Sequence, residues 1–233
     1  MQAFLSGVGF SFLFIIACLI PALLIRRFTR IGREPFRKLL HGIAQGLILA
    51  LAYGFETWYH AVIFCALFIV LGYPALHCVE KYPIYTRLTN QRRDGEVKNS
   101  LVLLFLMYIV ILSICWGVLD DRFLAVASVF AWGFGDAAAG LIGRRYGRHK
   151  VQCTLKSWEG TAAMFIVSWV CAFLVLLLRG RLGVPGCLLT AMAGAAVSAA
   201  VELYTTGGHD TITCPLSAMA VMVPLAYFLE GLL

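Results

Sequence analysis

Four acidic residues sit where an ionised carboxylate calls for an explanation. Asp136 lies inside an apolar run, Glu159 at the start of the next, Glu202 at the end of another, and Asp210 in the short turn before the last. An ionised carboxylate at membrane depth costs about 3 kcal/mol or more, so it usually faces a protein-lined cavity and marks function. Around Asp136 the residues are small: Gly135, Ala137, Ala138, Ala139 and Gly140. Small residues let a second backbone or a ligand come close. Next comes Gly143-Arg144-Arg145-Tyr146-Gly147-Arg148-His149-Lys150. Glycines beside such cations suit a phosphate-cradling turn, with arginine as a forked donor and lysine as a point charge. In Lys156-Ser157-Trp158-Glu159-Gly160-Thr161, Ser157 has the right type for an N-cap. The free N–H groups of the helix it opens would attract an anion, and Lys156 would strengthen that. The turn Gly207-Gly208-His209-Asp210-Thr211 holds no Lys or Arg, unlike the chain's basic loops. Acids beside such a turn, with basic loops alongside, fit a divalent cation and a polyphosphate together. Each group also has a bland reading. Asp136 could be hydrogen-bonded between helices, Glu159 could favour the helix dipole, and the cations could only orient the chain.

These residues must be positioned by helices in a bilayer. The chain has 233 residues, of which 61% are hydrophobic and 13% charged, with a mean hydropathy of +0.86. A soluble chain carries ~25% charged residues, so soluble, disordered and fibrous classes are excluded. A membrane-spanning helix needs ~20 residues, which leaves no room for a separate extramembrane domain. Eight apolar runs can be read: roughly Phe4 to Ile25, Leu39 to Phe55, Tyr59 to Val79, Leu101 to Leu119, Phe123 to Ile142, Thr161 to Leu178, Val184 to Leu203 and Pro215 to Leu232. The second is the shortest. The first lacks a basic leader and ends in Arg26-Arg27, so it reads as a span rather than a cleaved signal. Of 19 Lys and Arg, 16 fall in the segments after the first, third and fifth runs, and only Arg122, Arg179 and Arg181 fall opposite. The positive-inside rule then places those segments, and all four acids, on the cytoplasmic side, with both termini outside. The fold class is therefore all-α: a polytopic helix bundle of about eight spans, one membrane domain over residues 1–233. Its catalytic region is residues 130–216. The net charge of +7 serves orientation and not nucleic acid. The eight cysteines read as small packing residues. The remaining acids, Asp120 and Asp121 among them, read as solvated, and Glu56 and Glu230 as having no clustered partner.

The ordered set of motifs resembles the polyprenol kinase family, which includes dolichol kinases, phytol kinases and CTP-dependent diacylglycerol kinases. The resemblance rests on Gly135-Asp136 through Gly147, Lys156-Ser157-x-Glu159-Gly160, Glu202, and Asp210-Thr-Ile-Thr-x-Pro215. Arg37-Lys38-Leu-Leu-His41 also resembles the family's Arg-Lys-x-x-His element, so the likeness runs from about residue 37 to 216. It implies a membrane kinase that phosphorylates a lipid alcohol with CTP and a divalent metal such as Mg²⁺. One position departs: members commonly have Asp-Asn where this chain has Asp210-Thr211, and threonine has no amide. On this reading Asp136 and Asp210 hold the metal, with Glu202 as a third ligand or the base. Lys156, Arg144 and Arg145 clamp phosphates, with Lys150 and the Ser157 turn beside them. Glu159 binds metal or orients Lys156, and His41 and Lys38 help at the head-group level. The alternatives are a CTP-dependent phosphatidate cytidylyltransferase-like enzyme and a small transporter or flippase. The acids gather at one face rather than through the membrane's depth, which favours an enzyme. The expected location is a bacterial plasma membrane or an organelle membrane.

Overall fold

The computed structural model describes residues 1–29, 31–80, 95–151, 154, 156–205 and 208–232. Lys81, Arg87, Arg92 and Arg93 of the second basic segment lie outside it, as do Arg30, Cys153 and Gly207. The described residues form eight long helices: α1 (Gln2–Phe28), α2 (Arg33–Gly54), α3 (Trp58–Val79), α4 (Glu96–Ile111, continued as a π-helix over Leu112–Val118), α5 (Arg122–Tyr146), α6 (Trp158–Arg179), α7 (Val184–Tyr204) and α8 (Asp210–Glu230). Seven are long and apolar enough to cross a membrane, and α2 is the exception. The eight helices match the eight expected runs in number and order; the second differs in where it starts. That helix begins at Arg33, not Leu39, and its first turns carry Arg33, Glu34, Arg37 and Lys38. Hydropathy reads those charges as a loop. They form a helix because Glu34 and Arg37 pair one turn apart and the following residues pack inside the bundle.

The centre of the bundle is α5, which packs on α2, α6, α7, α8 and the end of α4. Its buried positions are mostly small, including Ala125, Ala127, Ser128, Ala131, Gly133 and Gly135, so neighbours can approach on every side. The α5–α6 contact is closest. A Cβ at Gly160 would lie 3.0 Å from the Ala139 carbonyl oxygen and 3.2 Å from Gly143 Cα. At Gly135 a Cβ would overlap Ser168 Oγ and lie 2.9 Å from the Met164 carbonyl oxygen. Gly135→Ala must push the two helices apart, and we expect about 1–3 kcal/mol of destabilisation. A lower unfolding temperature in detergent would show it, and an unchanged one would mean that the contact relaxes freely.

Caps fix the ends. Ser157 Oγ accepts from Gly160 N at 3.2 Å, as its type suggests, and Gly180 closes α6 at φ 69°. Asp121 Oδ1 caps α5 by accepting from Leu124 N at 3.0 Å. The seven described cysteines are free thiols.

At the end of the bundle away from Asp136, two expectations are overturned. Asp121 is buried, and its Oδ2 accepts from Arg179 Nε at 2.6 Å. Glu230 is also partnered, since it accepts from Arg179 Nη1. These acids join the first turn of α5 to the last turns of α6 and α8, a pairing that sequence distance conceals.

Candidate active site

Asp136 sits about three-fifths of the way along α5 and is only 8% exposed. Because α2 starts early, Lys38 and His41 stand one turn apart on a helix that packs against α5. Lys38 Nζ donates to Asp136 Oδ2 at 2.7 Å and to the Asp136 carbonyl at 3.1 Å. His41 Nε2 lies 3.3 Å from the same Oδ2. The Lys38 stem runs against Gly140, where any Cβ would overlap it. Beneath His41, the Trp132 ring meets it edge-on at 5.3 Å and Gln45 Nε2 lies 3.4 Å from His41 Nε2. A carboxylate this buried needs such partners to offset desolvation.

The second pair joins the loop before α6 to the end of α7. Lys156 Nζ lies 2.7 Å from Glu202 Oε1, and it also donates to the Glu202 carbonyl and to the Thr205 carbonyl at 2.9 Å. An ammonium has three donors, so this one is fully engaged. Its place also suits the negative end of a helix dipole. Asp210, in the first turn of α8, is within electrostatic range of Asp136, His41, Lys156 and Lys38, and Glu202 is within range of Asp136 and Asp210. Residues from α2, α5, α7 and α8 thus converge at one end of the bundle.

A cleft of about 180 Å³ opens there, lined by Asp136, Glu202, Arg144, Lys150, Lys156 and Ser157. Gly140, Gly143 and Gly160 also line it, so an anion could approach the backbone. Arg144 reaches Glu34 at 3.2 Å, which ties the end of α5 to the start of α2. The structure does not bring all candidates into the cleft. Arg145 lies over the Tyr146 ring at 5.4 Å, outside the lining. Glu159 accepts from the backbone N–H groups of Arg148 (3.2 Å) and His149 (3.1 Å) and pairs with His149 Nδ1 at 2.7 Å. It contacts its own loop and, among the described residues, neither Lys156 nor the other acids. Sequence reasoning missed His149, Gln45 and Trp132. Of these only Gln45, a polar residue within an apolar stretch one turn after His41, left a signal.

Among the described residues no three His, Cys, Asp or Glu side chains stand together as a ready metal cage. Magnesium seldom needs one, because it takes one or two carboxylates and completes its shell with water and substrate phosphates. The hard carboxylate oxygens of Asp136, Glu202 and Asp210 fit a phosphate-borne ion better than a protein-caged one.

No family model matches the chain, and no solved structure does. The chain is 27% identical over 231 residues to a phytol kinase of Synechocystis sp., covering 97% of this chain and 94% of that protein. The match supports membership of the polyprenol and phytol kinase family. The matched length spans α2, which carries Lys38 and His41, and the segments of α5, α6 and α7 that line the cleft.

Proposed function

We propose that this chain is a CTP-dependent lipid-alcohol kinase that works at the cytoplasmic face of its membrane. One observation carries the reading. In a chain similar over nearly its whole length to a phytol kinase, acids and cations from separate helices share one cleft at one end of the bundle. The described Lys and Arg of the segments after α1 and α5 stand at that end, and the excess of Lys and Arg after the odd-numbered apolar runs of the sequence supports the cytoplasmic assignment.

The nucleotide's phosphates lie in the cleft against Arg144, Lys150 and the close backbone of Gly140, Gly143 and Gly160. Asp136 and Asp210, with Glu202 beside them, would hold Mg²⁺, which would supply charge neutralisation on the phosphate oxygens; Asp136 and Glu202 line the cleft itself and Asp210 stands outside its lining. Lys38 fixes Asp136 through one hydrogen bond to its carboxylate and one to its backbone carbonyl, and Trp132 and Gln45 hold His41. The lipid tail stays in the bilayer and only the hydroxyl enters. Its oxygen forms the new bond to the γ-phosphorus, the β–γ bridging oxygen leaves with the nucleoside diphosphate, and the hydroxyl proton passes to Glu202. Positioning and charge neutralisation supply most of the acceleration in such a transfer.

The test is incubation of purified protein with Mg²⁺, labelled CTP or ATP, and a panel of phytol, polyprenol and diacylglycerol. Expected products are a phosphorylated lipid and a nucleoside diphosphate, with CTP preferred. Pyrophosphate and a CDP-lipid would instead establish a cytidylyltransferase. No product from any alcohol would overturn the proposal.

A further inference from the structure

The loop between α5 and α6 is held at two points, and neither anchor is free to bind a nucleotide. Its arms pair antiparallel: Trp158 N donates to the His149 carbonyl at 3.0 Å, Val151 N to the Lys156 carbonyl at 3.1 Å, and Lys150 stands opposite Ser157. At the base, Glu159 takes the N–H groups of Arg148 and His149 and the His149 ring. On the far arm, Lys156 spends all three donors on the end of α7. Arg144, at the end of α5, is paired with Glu34. Lys150 lines the same cleft and has no ion pair among the described residues.

We propose that Glu159 and Lys156 are positioning residues that fix this loop, and that Lys150 is the loop's phosphate-contacting cation. The inference rests on the nucleotide-binding half of the proposed function. It differs from the sequence expectation, in which Lys156 clamps the phosphates and Glu159 binds metal or orients Lys156. A carboxylate that accepts from consecutive backbone N–H groups sets the direction of the chain that follows. Here that chain leads directly to Lys150. Lys156 sets the opposite arm against α7, so the loop cannot swing Lys150 out of the cleft without breaking one anchor.

Three variants test it: Glu159→Ala, Glu159→Gln and Lys150→Met. Limited trypsin digestion without nucleotide reads the anchor alone, because Arg148 and Lys150 are exposed cleavage sites. Glu159→Ala should be cut there about tenfold faster than wild type, and Glu159→Gln, which keeps an acceptor oxygen, should recover most of the protection. Equal cutting of all three proteins would overturn the anchor. Labelled CTP is then bound to the detergent-purified protein. Lys150→Met and Glu159→Ala should each weaken binding about tenfold, with Glu159→Gln again recovering most of it. Unchanged binding in Lys150→Met would overturn its assignment. In turnover, Glu159→Ala should raise the KM for nucleotide about tenfold and lower kcat less than about threefold. A collapse of kcat in Glu159→Gln would place its charge at the reacting atoms and overturn the positioning role. Digestion and binding are read without lipid, so failure to phosphorylate any alcohol would sink the kinase reading and not this one.

Discussion

Replacing Asp136 with asparagine is expected to lower kcat by about 10²–10⁴-fold while the protein stays folded and inserted. The substitution keeps shape and an acceptor oxygen, so Lys38 can still donate at that position as it does to Oδ2 and to the residue's own carbonyl. What disappears is the negative charge where α2, α5, α7 and α8 converge. If Asp136 only tied two helices together, the amide would serve nearly as well and turnover would survive. If it helps to hold a metal-bound triphosphate, an amide is a poor substitute, because metal and phosphate need a neutralising anion. The measurement is kcat at saturating nucleotide and lipid, beside a size-exclusion profile in detergent that reports folding. A monodisperse variant with kcat within tenfold of wild type would remove Asp136 from the reacting centre, and the proposed cleft chemistry with it.

How far the sequence could be read depended on whether a residue was anomalous in its own surroundings. Asp136 stood out because a lone acid in an apolar run has no local explanation. Ser157 stood out because an N-cap is a one-turn event, settled by Gly160 three residues on. The helical class followed from hydropathy alone. Pairings across the bundle carry no such local mark. Lys156 and Glu202 are 46 residues apart, and Arg179 and Glu230 are 51 apart. Nothing in their immediate sequence announces either pair. Glu159 misled in a different way. Its place beside Lys156 and Ser157 suggested the cleft, yet a residue in the first turn of a helix can point back over the preceding loop, and it does. The start of α2 was hidden for the same kind of reason. Charged first turns look like a loop to any hydropathy window, although the helix continues through them and presents Lys38 to Asp136.

The largest expected loss of stability belongs to the opposite end of the molecule. The Arg179 side chain is 1% exposed and bridges the carboxylates of Asp121, which is 2% exposed, and Glu230. Arg179→Met would leave two acids facing each other in a poorly hydrated junction of α5, α6 and α8. Removing one partner of a buried ion pair costs about 3–5 kcal/mol, mostly as the desolvation of the charge left behind. Asp121 also caps α5 through its other oxygen, so its displacement would loosen the first turn of the central helix. Arg181, 3.6 Å from Asp121 Oδ2, could recover part of the loss, but its side chain is 53% exposed and its pull is weakened by solvent. Arg179→Lys keeps the charge without the planar fork that reaches both acids, so it should fall between wild type and Arg179→Met. Unfolding followed in detergent should rank the three proteins in that order. Turnover per folded molecule should hardly change, since Asp121 and Asp136 are separated by roughly 22 Å along α5. A fall of less than about 1 kcal/mol in Arg179→Met would show that the junction is already hydrated enough to carry its acids alone. A parallel loss of kcat in well-folded Arg179→Met would mean instead that the two ends of α5 are mechanically coupled, and that the cleft is set from both ends of the helix.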